Sequence, residues 1–305
     1  MNLKNILNSI LLLCVGFASC NQNKIYDNST DGFTSGTYTF VFDESISPIL
    51  DQEMYVFKSL YTQAKPNVVY QPENKILDLI LNNKARFAVM SRDLNQNEVK
   101  LLTDRGLPPK VGKVAHDAIA LIVGKNVPDT IMTLAEIKNL FNSNTKDTKN
   151  LVFDNPNSSV LNYLKSYFSL ESSNQKNIYA VKNSKEVIKY VANNDNAIGF
   201  ISYSWLVEPD SDYISATKNI RIVGIENDSS KSKSLTYFKP SQSTFALKQY
   251  PLTRTIYIID CTGKIGLGTG FSSFLQSERG QKIVLRSGLL PDSMPTREIL
   301  IKKEL

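Results

Sequence analysis

Two hydrophobic periods take turns along this chain. Apolar residues at helical spacing predict helices over 48–63, 75–83, 97–105, 134–142, 159–169, 184–194 and 270–285. Short apolar, β-branched or aromatic runs between them predict strands over 38–42, 67–70, 87–90, 118–123, 150–153, 178–181, 197–201, 220–225 and 255–260. Strands that alternate with helices in this way imply an α/β chain with a largely parallel sheet. Residues 226–243 carry several Ser and Lys with little periodicity and read as a long loop. No internal repeat or low-complexity tract interrupts the pattern.

The first twenty residues follow a different rule. "MNLKNILNSILLLCVGFASC" places Lys4 before an apolar run from Ile6 to Ala18. That run is short of the about 20 residues a spanning helix needs, and it has the form of a secretory signal. Its end, Phe17-Ala18-Ser19-Cys20, has the small-small-Cys form of a bacterial lipobox, with Phe17 where Leu is usual. Cleavage before Cys20 would leave that cysteine as a lipidated first residue on the envelope, on the periplasmic or outer-membrane face. The polar stretch up to Ser35 would then act as a tether.

Composition narrows the chemistry. The 305 residues are 42% hydrophobic and 21% charged, an ordinary globular balance with room for a sizeable core. Lys and Arg total 35 against 29 for Asp and Glu, a formal charge of +6 that can steer anions. The basic residues are scattered rather than clustered, which argues against a nucleic-acid partner. Of the three cysteines, Cys14 falls in the signal and Cys20 takes lipid, so Cys261 stands alone without a disulfide or a Cys-based zinc site. A single histidine, His116, excludes a two-His metal site.

Catalytic constellations are thin. His116-Asp117 has no Gly-x-Ser-x-Gly elbow to serve, and His116 reads as a structural residue near a chain crossing. Asp43 and Glu44 are adjacent, so their side chains point in different directions, and no second acidic cluster supports acid/base work. The glycines 266, 268 and 270 follow a strand and open a helix, as a phosphate-cradling loop does. Phe271 replaces the third glycine of Gly-x-Gly-x-x-Gly, however, and no Gly-Lys-Ser/Thr is present, so the stretch reads as a turn and helix start, with a nucleotide enzyme as the rival reading. Hydroxyl-rich helix starts occur at Ser47-Pro48, Asn157-Ser158-Ser159 and Asn183-Ser184. Each can be a simple cap, and each also presents free N–H groups to an anion.

Taken in order, several stretches resemble one family. They are "FDESISPIL", Ser91-Arg92-x-Leu94 after an Ala-Val-Met strand, "VAHDAIALIVGKNVPDTIMTLAEIKNLF", "NSKEVIKYVANNDNAIGFIS" and "YPLTRTIYII". Together they resemble the PstS-like substrate-binding lipoproteins of phosphate ABC transporters, of the Bacteroides type, over about 35–290. The resemblance implies a type II periplasmic-binding-protein fold, in which two α/β lobes joined by two crossing strands act as a hinge. It implies a signal peptide over 1–19, a tether over 20–35, one lobe from 36–113 and 252–305, and a second from 114–251. The family binds without catalysis, cofactor or metal, holding an oxyanion on helix N-termini, hydroxyls and an arginine.

Carried over residue by residue, the resemblance assigns the ligand to Asp43, Ser45, the Ile46 N–H and Ser47, to Ser91 and Arg92, and to Asn157, Ser158 and Ser159. Asp43 or Glu44 would read a proton on the anion. There are departures. The family's second-lobe arginine falls here on Asp154 or Phe153, its Gly-Thr becomes Ser159-Val160, and its Gly-Ser-Gly-like loop becomes Gln71-Pro72-Glu73-Asn74-Lys75. The implied partners are inorganic phosphate or a similar oxyanion, the permease subunits of an ABC importer and, through the lipid, a membrane, with the protein a monomer. The alternative is a binding fold with a degraded anion site that serves as a sensor or surface interaction module.

Overall fold

The computed structural model describes residues 31–142, 149–170, 176–227 and 236–293. The expected signal peptide over 1–19, Cys20 and residues 20–30 of the expected tether lie outside the described residues, as do 228–235 of the expected long loop and 294–305.

Strand β1 (Gly36–Asp43) begins the sheet, and its residues 38–43 are all buried. Alternation sorts them between two faces. Phe40 and Phe42 pack on one side with Phe57, Phe87 and Phe271, while Val41 packs on the other with Ile76, Ile80 and Ala88. A strand covered on both faces suits a parallel sheet. A 3-10 turn, Glu44–Ile46, leads into α1 (Ser47–Leu60). There follow β2 (Ala64–Gln71), α2 (Glu73–Leu81), β3 (Phe87–Met90) and α3 (Gln96–Asp104). β1 pairs in parallel with both β2 and β3.

The chain then crosses. Strand β4 (Lys110–Gly124) is far longer than the 118–123 run suggests, because its first half alternates with polar residues. Val114 and Ala115 pack in the first core, whereas Ala118, Ile119, Leu121 and Val123 pack in a second one around Phe141, Phe153 and Phe200. That second half contains β5 (Ile131–Met132), α4 (Leu134–Asn142), β6 (Asn150–Phe153), α5 (Ser159–Phe168), β7 (Ile178–Ala180), α6 (Ser184–Ala192) and β8 (Ala197–Ser202). The short helices α7 (Ser204–Val207) and α8 (Ile214–Thr217) come next, then β9 (Ile220–Ile222), β10 (Gly224–Glu226), β11 (Tyr237–Phe238) and α9 (Gln242–Ala246). The run over 220–225 thus divides: β9 joins β4, and β10 joins β5 and β11 in a small separate sheet. Gly199 in β8 permits α6 to approach, since a Cβ there would stand 2.8 Å from both Ile122 and Val187.

Strand β12 (Thr253–Asp260) returns to the first half and is followed by α10 (Leu267–Gln276), α11 (Glu278–Arg286) and β13 (Leu290–Pro291). The helix expected over 270–285 is two helices. Ser277 is extended and its hydroxyl accepts from the Gly280 N–H, so it ends one helix and caps the next. The main sheet runs β2-β1-β3-β12-β4-β8-β6-β7. Its outer pairs β1–β2 and β6–β7 are parallel, but β12 is antiparallel to both β3 and β4. β4 and β12 are therefore the two strands that pass between halves, as the sequence leads one to expect of a two-lobed hinged α/β fold. His116 sits on this crossing, with its Nδ1 3.1 Å from Thr255 Oγ1.

One buried group in the first half is at odds with its setting. Glu53 of α1 is 0% exposed, and neither carboxylate oxygen has a hydrogen-bond partner among the described residues. Burial pushes its pKa up to about 9, from 4.5. The folded chain then holds a proton that the unfolded chain has released, so stability falls as pH rises between those values. Replacing Glu53 by Gln removes the titration. The melting temperature of the wild type should fall relative to Glu53→Gln as pH goes from about 5 to about 9. Melting curves that stay parallel across that range would contradict a neutral buried Glu53.

Candidate functional site

The two crossing strands carry a buried ion pair at their junction. In the β4–β12 register Arg254 stands opposite Asp117. Its Nε and Nη2 both lie 3.0 Å from Asp117 Oδ2, and the side chains are 1% and 0% exposed. Burial pushes the Asp117 carboxyl above the ordinary carboxylate value, and the Arg254 guanidinium in contact with it opposes that rise. The rest of the guanidinium faces the first half. Nη1 donates to Ser91 Oγ at 2.9 Å and Nη2 to Ser45 Oγ at 3.0 Å.

These hydroxyls surround Asp43, the last residue of β1. Asp43 Oδ1 accepts from the Ser45 N–H at 3.0 Å and from Ser159 Oγ at 2.9 Å, while Oδ2 accepts from Ser91 Oγ at 2.7 Å. Local structure explains the placing. Asp43 caps the 3-10 turn that opens α1, Ser91 follows the end of β3, and Ser159 is the first residue of α5 from the other half. The Glu73 N–H, at the start of α2, also donates to Ser159 Oγ. Strand ends and helix starts thus converge from both halves, as they do at the ligand crevice of α/β sheets.

Of the residues that the resemblance assigns, Asp43, Ser45, Ser91 and Ser159 meet here. Ser158 is buried beside them, capping α5 through the Leu161 N–H and bonding the Asp154 carboxyl. Ile46 is buried in the first core, and the Ser47 N–H is already given to the Glu44 carbonyl. Asn157 is exposed, its N–H turned to Asn155 Oδ1. Arg92 points away from the cluster into carboxylates: Nε is 3.0 Å from Glu73 Oε1, and Nη1 and Nη2 reach Glu98 at 2.9 and 2.7 Å. The cation that meets the hydroxyls is Arg254 instead. Its signal was present in the period-2 phase of "TRTIYIID", where Arg254 shares the inward face with Ile256 and Ile258. An arginine in that phase is buried and must be paired. Trp205 is a second unforeseen member, its indole N–H donating to the Ser45 carbonyl at 2.9 Å from the other half.

The surroundings are acidic. Burial pushes the Glu44 carboxyl up to about 7, with the charges of Asp154 and Asp43 adding to the rise. Asp154 and Glu73 are also raised, by burial first. Asn155 reaches across the halves to Glu44. Such groups favour a proton in the cleft and oppose a second negative charge. Among the described residues no group of three or more His, Cys, Asp or Glu is arranged to hold a metal, and no helix is long and apolar enough to cross a membrane. The glycine-rich start of α10 is not open to a phosphate: the Leu267 N–H is taken by Asp31 Oδ2, and a Cβ on Gly270 would run into the Phe33 carbonyl oxygen. Those glycines permit close packing.

Comparison with known proteins places the fold. The family model described as the PBP superfamily domain matches residues 27–279. A curated relative, the phosphate-binding protein PstS of Staphylococcus saprophyticus, is 23% identical over 207 residues, covering 64% of this chain and 61% of that protein. The chain thus spans about three fifths of the length of that relative. Two solved structures share the fold. One, a protein from Clostridium perfringens solved with bound phosphate and assigned to a phosphate ABC transporter, gives a TM-score of 0.68 at 20% identity, over 85% of this chain and 100% of that one. An ABC-type phosphate transport receptor from Vibrio cholerae gives 0.63 at 18% identity, again over 85% and 100%.

The two arginines differ in setting, and so should their variants. Arg254→Met leaves Asp117 as an unpaired buried charge and should cost about 3–5 kcal/mol of stability. Arg92→Ala removes a cation that is one third exposed and is shared by Glu73 and Glu98, and should cost less, about 1–2 kcal/mol. Urea denaturation of both variants checks this, and equal losses would contradict the burial of the Arg254 pair.

Proposed function

We propose that this chain, which belongs to the PBP superfamily, is an extracytoplasmic binding protein that captures phosphate or a related oxyanion between its lobes for an ABC importer. The observation that carries this reading is the meeting, at the lobe junction, of a buried guanidinium with the Ser45, Ser91 and Ser159 hydroxyls and the Ser45 N–H. Donors aimed at one point from two lobes suit a tetrahedral oxyanion, and a guanidinium adds charge. The names of the relatives agree, since they are phosphate-binding and phosphate-transport proteins.

In this reading lobe 1 comprises 36–113 and 252–305, lobe 2 comprises 114–251, and β4 and β12 are the hinge about which they close. Ser45, Ser91, Ser159 and Arg254 hold the ligand. Asp43, Glu44 and Asp154 select for an anion that retains a proton, because a carboxylate can accept that proton and repels an oxyanion lacking one. Phosphate near neutral pH retains a proton and sulfate does not. The chain would be held at the membrane by lipid on Cys20, after removal of 1–19, and would work as a monomer that delivers its ligand to permease subunits.

The acidic cleft favours one second reading. A binding fold whose anion seat is crowded by Asp43, Glu44, Glu73 and Asp154 can serve instead as a sensor or surface interaction module.

Thermal unfolding separates the two. Protein stripped of phosphate and titrated to about a thousand times the dissociation constant should gain about 4 kcal/mol, a rise of several degrees. Phosphate should produce that rise, sulfate a smaller one or none, and Arg254→Lys should lose it. No rise with either anion would remove the transport reading and leave the second.

A further inference from the structure

Asp43 sits where the ligand of the proposed seat would have to sit. Its carboxylate is 0% exposed. It takes three donors: the Ser45 N–H and Ser91 hydroxyl from the first lobe and the Ser159 hydroxyl from the second. Behind them the Arg254 guanidinium donates to Ser91 and Ser45, so the Ser91 hydroxyl relays positive potential toward the Asp43 carboxylate. Two carboxylate oxygens that share hydroxyl and amide donors across a lobe junction reproduce what two oxygens of a bound oxyanion do.

We propose that the Asp43 carboxylate is a built-in substitute for the ligand, bridging the two lobes in the unoccupied protein and competing with any external anion for the same donors. The proposal rests on reading this seat as an anion site. The lobes meet closely around Asp43. Ser159 Oγ is shared between Asp43 and the Glu73 N–H, Trp205 holds the Ser45 carbonyl, and Gln52 Nε2 reaches Glu208 Oε2 at 2.9 Å across the cleft. Such a substitute sets a selectivity rule. An external anion gains the donors only by expelling a group of the same charge, so net affinity is the difference between two similar interactions. A protonated oxyanion that can hydrogen-bond to Asp43 keeps part of what is lost, whereas an anion without a proton keeps none.

The experiment is small-angle scattering of the phosphate-free protein, together with fluorescence of Trp205, the one tryptophan of the chain. Inorganic phosphate is the probe. The wild type should be closed without phosphate and should contract little when it is added. Asp43→Ala should show a larger radius of gyration and a more solvent-exposed Trp205 without phosphate. It should close on adding phosphate, and bind it at least about tenfold more tightly than the wild type, since a like charge has left the seat. Ser159→Ala removes the bridge from the other lobe and should open the phosphate-free protein in the same way, even if Asp43→Ala does not fold. If the variants open but no form of the protein binds phosphate, the substitute stands and the phosphate reading falls. If the wild type binds phosphate while the variants stay closed, and Asp43→Ala binds no more tightly, phosphate capture stands and the substitute is overturned.

Discussion

A charged pair with almost no access to water holds the centre of this protein together. Arg254 and Asp117 face each other across the two strands that link the lobes, 1% and 0% exposed. Stripping water from two ions is costly, and their attraction alone does not always offset it. Here the guanidinium makes two further hydrogen bonds, to Ser91 and Ser45. Those bonds give the pair a use. They fix a cation on a strand, with two oriented hydroxyls beside it, at a place that both lobes reach. In the proposed hinge closure, a polar group on the crossing strands would stay in place while the lobes move around it.

What surrounds that pair sets the character of the cleft. Asp43 completes the circuit of donors, and Glu44, Glu73 and Asp154 stand close to it with raised proton affinity. Arg92 is given over to Glu73 and Glu98, so it steadies the start of α2 and the capping box of α3 rather than facing the seat. The lobe junction therefore has strong donors at its centre and acidic groups around them. In the proposed function, selectivity comes from that contrast: the donors attract any oxyanion, and the acidic groups discriminate by its proton.

Much of the fold was legible in the pattern of residues because the elements are strongly periodic. The helix over 134–142 and the strands over 87–90 and 150–153 match their observed bounds. Less visible were features set by tertiary contacts. The first half of β4 looks polar because its burial is asymmetric, and Ser277 divides a continuous amphipathic run by capping. Strands β5 and β11, each two residues long and each paired with β10, have too few residues to show a period. At the site, the hydroxyl-rich helix starts included Ser159, because a helix start presents hydroxyls and N–H groups by local geometry, whereas Asp43, Ser45 and Ser91 were assigned through the family resemblance. The pairing of Arg254 with Asp117 links residues 137 apart in the chain, and only the strand register brings them together.

The central claim is that an anion held by Arg254, Ser45, Ser91 and Ser159 replaces Asp43 at the lobe junction. A crystal structure of the protein grown in inorganic phosphate tests it most directly. The account predicts tetrahedral density within hydrogen-bonding distance of the three hydroxyls and the Arg254 guanidinium, with the Asp43–Ser159 bond broken or bridged by the anion. Phosphate bound instead at Arg92 or on the outer surface, with Asp43 still bonded to Ser45, Ser91 and Ser159, would contradict it.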